Sequence, residues 1–489
     1  MNVVSVCRDG ALAYPAPHDH SPPEPFPESP FPGAPPGGNR VYALVRRALQ
    51  ASGADAGRFG TPAWNPLGEW ILPGQRVFVL PNLVVERRPG EPEADFRGKC
   101  THGSVLRAVL DYAALAAGGA ERVRFGNASL QSCDYASVAA ETGAAAVGAF
   151  WAEHDGDRGP LDLRATVTRW TRFGALLERR TRHPEDVVHV DLGADSLLDE
   201  LYRGGPAPEF RVGDYDHREM AEYHAPGRHV YAVHRAVLEA DAIVSVPKLK
   251  THEKVGITCA LKGTVGAIAR KECLAHHRKG GAGQGGDEYP GGTPVHLLAS
   301  EMADRVTTMD AGVGANLVRV ASKGLYRALR VGPGIMAGGW HGNDTAWRMA
   351  LDIARILRFA RADGTLASTP QRTHLVLVDG IVGGEAEGPV YPRGNPCGAV
   401  VFGSDPVWAD VACARVMGFD PAAIPLVARA LDPLPYPATE LREGDVHVMV
   451  DGSPAGLEDL NRVLERGFVP PKGWKGHVEA GRLGTAAID

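Results

Sequence analysis

Residues 244–267 read VSVPKLKTHEKVGITCALKGTVGA, with Lys248, Lys250 and His252 at alternate positions directly after a proline. In extended chain, alternate residues project to one side, so these three cations share a face. Lys262 follows inside or at the end of a short helix. Such a group suits a phosphate, a carboxylate or an anionic cofactor, and a crowded lysine loses basicity, as general-base or Schiff-base work requires. The competing account is a solvated basic loop.

Three further stretches carry reactive side chains. In RKECLAHHRKGGAGQGGDEYPGGT, Cys273 precedes His276 and His277 by three and four positions, so on a helix one imidazole shares a face with the thiol. Asp287 and Glu288 add carboxylates, and Cys273, His276, His277, Asp287 and Glu288 together form a candidate metal set. The same stretch reads equally as a lid that brings Arg278, Lys279 and the histidines over a substrate, or as a solvated loop. In VDGIVGGEAEGP, Asp379 follows a strand run, with Glu385 and Glu387 beyond it. It is placed to act as base, metal ligand or lysine partner, against the alternative of turn chemistry. In WHGNDTAWRMALD, Asn343, Asp344 or Thr345 caps a helix, which explains those residues without a ligand.

These residues need strands and helices to hold them. QRVFVLPNLV, ERVRFGNAS, DVVHVDL, DAIVSVPKLK, RVTTMDAG, THLVLVDGIVGG and GAVVFGSDP are short apolar runs that predict buried strands. NRVYALVRRALQASG, THGSVLRAVLDYAALAAGG, HRAVLEA, ALKGTVGAIAR, TAWRMALDIARILRFA and PVWADVACARVMG predict helices, the first capped by Asn39 and the second started by Thr101 or Ser104. Strand–helix–strand order with glycine punctuation predicts an α/β fold: mostly parallel β-sheet layers flanked by helices, in two lobes around a cleft. Ligands of such sheets gather at strand ends, where the polar clusters stand. Ten prolines between Tyr14 and Gly38 forbid helix there. That stretch is either a disordered arm or, since VVSVC before it reads as a strand, a loop laid over the body and anchored by Phe26 and Phe31.

The division expected is an N-terminal strand and Pro-rich segment over 1–39, an α/β core over 40–440 and a C-terminal extension over 441–489. The chain has 489 residues, 44% of them hydrophobic, and a formal charge of −6 from 52 Lys+Arg and 58 Asp+Glu. That balance argues against nucleic acid as a partner. No window approaches a membrane span, and the opening MNVVSVCRDG lacks the pattern of a signal peptide, so a cytoplasmic protein is expected. The seven cysteines are scattered without a C-x-x-C pair, which excludes a disulfide scaffold and any sequence-local iron–sulfur or zinc motif. The dinucleotide fingerprint, the P-loop and the G-x-S-x-G elbow are missing as well.

At VFVLPNLV with the threonine-histidine helix start, at SVPKLKTHEKVGITCALKGTVG, and at VDGIVGGEAEGP with the later GSDPVWADVACARVMG, the sequence resembles the domain-of-unknown-function 362 family. The likeness runs over roughly residues 70 to 425, in a branch without the ferredoxin segment that many members carry. Members are often labelled iron–sulfur centre proteins. Leu80 stands where members commonly place a lysine before the Pro-Asn pair. The resemblance supplies no reaction.

The function expected from the residues is an enzyme acting on a small phosphorylated or carboxylated metabolite. Lys248, Lys250, His252, Lys262 and Asp379 are its catalytic candidates, and Asn82, His276, His277, Arg278 and Lys279 its substrate-binding candidates. The alternative is a metal- or iron–sulfur-dependent redox or metal-delivery protein. The cofactor and a homo-oligomeric state stay open. Residues 248–262 are expected to converge with 379–387.

Overall fold

The computed structural model describes residues 1–170, 176–203, 206–213, 215–309, 313–331 and 337–481. Its centre is a mixed eleven-stranded sheet. In chain order the strands are β1 (Val3–Arg8), β2 (Val77–Pro81), β3 (Val123–Asn127), β4 (Leu161–Asp162), β5 (Ala242–Val246), β6 (Lys248–His252), β7 (Gly256–Ile257), β8 (Thr373–Glu387), β9 (Tyr391–Gly403), β10 (His447–Val450) and β11 (Ser453–Ala455). The order across the sheet is β11-β10-β1-β9-β8-β5-β2-β3-β4, with β6 also on β8 and β7 on β6. Strands β8, β5, β2, β3 and β4 run parallel, while β9 is antiparallel to both β1 and β8.

Alternation along the strands divides the core. Val3, Cys7, Val77, Val79, Val244 and Leu375 pack with helices α1 (Arg40–Ala51) and α2 (Gly103–Ala117) on one face. On the other face lie α3 (Cys259–Gly263), α6 (Ala346–Phe359) and α7 (Pro406–Val416), against Val4, Val6, Val376, Val378 and Val401. Between α3 and α6 come α4 (Pro294–Thr308) and α5 (Val313–Val331). Asn39 caps α1 by accepting from the Tyr42 amide, as its position predicts. At α2 the cap is His102, whose Nδ1 accepts from the Ser104 amide; neither Thr101 nor Ser104 does this.

Two expectations change, and between two pairs of alternatives the structure decides. Residues 294–308 are helical where RVTTMDAG predicts a strand, and the end of that run, 310–312, lies outside the described residues. DVVHVDL is a strand, Val187–Asp191, but it pairs antiparallel with Arg228–His234 in a separate small sheet. The glycines of VDGIVGG make no turn: they continue β8, where Gly384 lets the backbone of Gly98 approach so closely that a Cβ would meet its carbonyl oxygen. The proline segment is laid over the body. Phe26 stacks on Tyr42, and Phe31 packs edge-on against Phe150 and Trp151.

Candidate functional site

Pro247 interrupts what would otherwise be one strand. Before it β5 pairs parallel with β8 at residues 373–376; after it β6 pairs with the same strand, Lys248 opposite Asp379 and Lys250 opposite Gly384. Having no amide N–H, proline ends the first ladder, and the bulge between Lys248 and Lys250 re-aims the following side chains. This register brings residues 248–250 and 379–384 together.

The pair at the centre is Lys248 and Asp379, both fully buried, with Nζ to Oδ1 at 3.2 Å. Tyr14 joins it: its hydroxyl donates to Asp379 Oδ1 at 2.5 Å and receives from Lys248 Nζ at 2.6 Å. Asp379 Oδ2 accepts the His102 amide at 3.0 Å, and the His102 ring stacks on Tyr14 with centroids 4.3 Å apart. Burial, and then the Asp379 charge, raise the Tyr14 phenol well above its ordinary range, so it stays a neutral donor. Neither Tyr14 nor His102 is signalled by the sequence, because both contacts depend on chain packed from far away.

Lys250 donates to Asn82 Oδ1 and to the Lys99 carbonyl, both at 2.7 Å. Both acceptors are neutral. Lys262, at the end of α3, is only 7% exposed, and among the described residues nothing forms a hydrogen bond or ion pair with its ammonium group. Burial pushes Lys250 and Lys262 down to about 7, with neighbouring lysines adding to the effect. A cation buried without a counter-charge costs several kcal/mol. The site therefore favours either loss of these protons or an incoming anion.

His252 and His276 share the same field. Burial first, and then Lys262, hold both imidazoles neutral. The Lys254 amide donates to His252 Nδ1 at 3.1 Å, so a neutral His252 carries its proton on Nε2. His276 Nδ1 faces the Leu274 carbonyl at 2.8 Å and must donate, which leaves its Nε2 as a base. The two rings thus offer one donor and one acceptor. His277 is buried and also held neutral, chiefly by burial, and among the described residues its Nδ1 has no hydrogen-bond partner.

The other candidates are engaged elsewhere. Arg278 and Lys279 are ion-paired: Arg278 with Asp287 at 3.4 Å, and Lys279 with Glu301 and Asp304 at 2.6 and 2.8 Å. Asp287 accepts the Arg278 and Asp344 amides and the Thr345 hydroxyl, while Glu288 accepts the Gly280 amide and the Ser300 hydroxyl. These carboxylates fasten the glycine-rich loop to α4 and α6. Cys273 donates to the Arg270 carbonyl at the end of a single 3-10 turn, and His277 lies in a two-residue strand, so the thiol and imidazoles share no helix. The five expected ligands Cys273, His276, His277, Asp287 and Glu288 form no compact ligand group; among the described residues the convergent sets are Cys259–Asp410–Cys413 and His183–Glu185–Asp186. Glu385 is held by Arg393 and by Arg466, the latter at 2.8 Å, and Glu387 accepts the Lys472 amide. Asn343 caps α6 through the Thr345 and Ala346 amides and anchors the His276 carbonyl at 2.9 Å. Beside it opens a cavity of about 600 Å³ lined by Glu200, His341, Asp344, Trp347 and Arg348. None of the buried lysines lines that cavity.

Fold and site together define an α/β protein with a buried cluster of lysines and histidines where the strands of its main sheet end. Residues 175–415 match the model of the family described as Domain of unknown function (DUF362), and the chain resembles that family. The match contains Lys248, Lys250, His252, Lys262, His276 and Asp379, whereas Tyr14, Asn82 and His102 lie before it. No curated protein and no solved structure matches the chain.

Proposed function

We propose that the protein is an enzyme acting on a small anionic metabolite, phosphorylated or carboxylated, held by Lys250 and Lys262. What supports this is the burial of two amines whose neighbours are cations and neutral acceptors. His276 takes a proton through Nε2 and His252 gives one from its own. Tyr14, Asp379 and Lys248 fix the floor of the site. The test is a thermal-shift screen of phosphorylated and carboxylated metabolites against the native chain and Lys262→Met. A ligand at about a hundred times its Kd adds about 2.7 kcal/mol of stability. The reading requires that the stabilisation found for the native chain disappears in the variant. Undiminished binding by Lys262→Met and Lys250→Met would sink it.

A second reading, a metal- or iron–sulfur-dependent redox or metal-delivery protein, draws support from Cys259, Asp410 and Cys413. Their ligand atoms lie within 4.8 Å of one another, and all three residues are fully buried. Two thiols and a carboxylate suit a borderline metal such as zinc better than a hard cation. Asp410, however, already accepts the Ala260 and Leu261 amides at 2.6 and 2.9 Å, which makes it the cap of α3. Elemental analysis of protein purified without oxygen decides this reading. It predicts stoichiometric metal that is lost in Cys413→Ser, and metal-free native protein would remove it.

A further inference from the structure

The two buried amines of the site are not equivalent. Lys250 gives N–H groups to two fixed acceptors, Asn82 Oδ1 and the Lys99 carbonyl, both at 2.7 Å. Hydrogen bonds of that kind favour the charged form of an amine and hold it in place. Lys262 makes none among the described residues, although only 7% of it is exposed. Loss of its proton therefore breaks no hydrogen bond, and its nitrogen lone pair is left without a competitor. The charge that acts on it most is another cation, Lys271, which donates to the Val265 carbonyl at 3.1 Å. Two groups of one type in unlike surroundings take unlike roles.

What surrounds Lys262 suits carbonyl chemistry. Thr258 stands one helical turn before it, and the Thr258 hydroxyl is buried without a hydrogen-bond partner among the described residues. The Thr258 amide donates to the Lys250 carbonyl at 2.8 Å, which ties that turn to the strand carrying Lys250. After burial, the Lys262 charge is the largest influence on both His252 and His276, whose rings present an N–H and a basic Nε2. His276 is only partly buried, so the site has a way in on that side. Neutralising an anion needs cations and donors alone. An unpartnered amine beside a basic imidazole is the arrangement of a nucleophile.

Given an anionic metabolite in this site, on which the step rests, we propose that Lys262 forms a Schiff base with a substrate that carries a ketone or aldehyde carbonyl beside its anionic group, while Lys250 holds the anion. The Lys262 nitrogen bonds to the carbonyl carbon as the π pair passes to oxygen. His276 Nε2 carries the two amine protons in turn to that oxygen, the C–O bond breaks, and water departs to leave C=N. The His252 N–H and the Thr258 hydroxyl donate to the oxygen while it is charged. No oxidant or reductant is needed.

The experiment incubates the full chain at neutral pH with pyruvate and with glyceraldehyde 3-phosphate, one probe for each anionic group. Sodium cyanoborohydride traps any imine, and peptide mass spectrometry maps it. Thermal midpoints are recorded for the same mixtures without reductant, and for lactate and glycerol 3-phosphate, which lack the carbonyl. At least one carbonyl probe should raise the midpoint and label Lys262 at least about tenfold more than the exposed Lys475. Whichever probe does so identifies carboxylate or phosphate as the anion. Lys262→Arg, which keeps the cation but not the nucleophile, should give no adduct above the Lys475 background, as should Lys262→Met. A midpoint raised by any of the four compounds, with neither carbonyl probe labelling Lys262, leaves anion binding standing and overturns the Schiff base. Labelling of Lys250 in place of Lys262, or equal labelling of Lys262 and Lys475, overturns it too. If none of the four shifts the midpoint and no adduct forms, anion binding itself fails and the imine with it.

Discussion

Lys248 and Asp379 face each other on neighbouring parallel strands, ammonium to carboxylate at 3.2 Å, with neither side chain exposed to solvent. Each answers the charge that burial would otherwise make costly. Because Asp379 also holds the Tyr14 hydroxyl and the His102 amide, this pair ties the N-terminal segment and the start of α2 to the centre of the sheet.

Breaking that pair on one side should therefore be severe. Asp379→Asn leaves a buried ammonium without its counter-charge and is expected to cost about 3–5 kcal/mol, as is Lys248→Met from the opposite side. The double variant should lose clearly less than the sum of the two. Urea denaturation of all four proteins measures the coupling, and strict additivity would show that the ion pair is not the source of the loss.

The lysines give the ligand-free protein a characteristic pH dependence. Lys250 and Lys262 sit at about 7 when folded, against an ordinary value of 10.5, so between those limits the unfolded chain binds more protons than the folded one. Stability then rises with pH through this window, and the full cost of burial is present below it. Per lysine the slope is at most about 1.4 kcal/mol for each pH unit. Thermal midpoints measured from neutral to alkaline pH should climb less steeply in Lys262→Met than in the native chain. A bound anion should flatten the native slope, because it holds the ammonium charge in place.

Tyr14→Phe removes one hydroxyl that serves both members of the central pair. A buried hydrogen bond to a charged group is worth about 1.5–3 kcal/mol, and a loss of that size is expected in denaturant unfolding. Since Lys248 still faces Asp379 in this variant, the loss should stay below that of Asp379→Asn. Equal losses would mean that the phenol, and not the ion pair, carries the stability.

Lys279→Ala should do little. Its ammonium is partnered by Glu301 and Asp304 at the edge of α4, where such pairs contribute about 1 kcal/mol or less. Affinity for any anion identified in the screen should be unchanged within error by titration calorimetry. A marked loss would return Lys279 to the site.

The local rules governed much of what is found. Alternation put Lys248, Lys250 and His252 on one extended segment, Pro247 ended the strand before them, and Asn39 and Gly53 bounded α1, because each depends on steric and hydrogen-bonding preferences acting over a few residues. Where those rules failed, a distant partner intervened. Residues 305–308, the described start of the run expected to be a strand, continue a helix that Pro294 and Thr293 start, and His277 pairs with Arg211 instead of joining a helix with Cys273.

By itself, then, the sequence determined the α/β order of elements and the clustering of cations around residues 248–262, whereas Asp379, expected after a strand, lies within β8. Only the tertiary structure decided which charges remain uncompensated. Asp287, Glu288, Glu385 and Glu387 look in the sequence as able as Asp379 to answer the lysine cluster, yet each is engaged with backbone amides, hydroxyls or arginines, whereas Asp379 pairs with Lys248. Tyr14 reaches the site across 365 residues of chain. The physical reason is that desolvation and ion pairing depend on separations of a few ångströms between groups remote in the chain, and those separations are set when the sheet assembles, not by the spacing of residues along it.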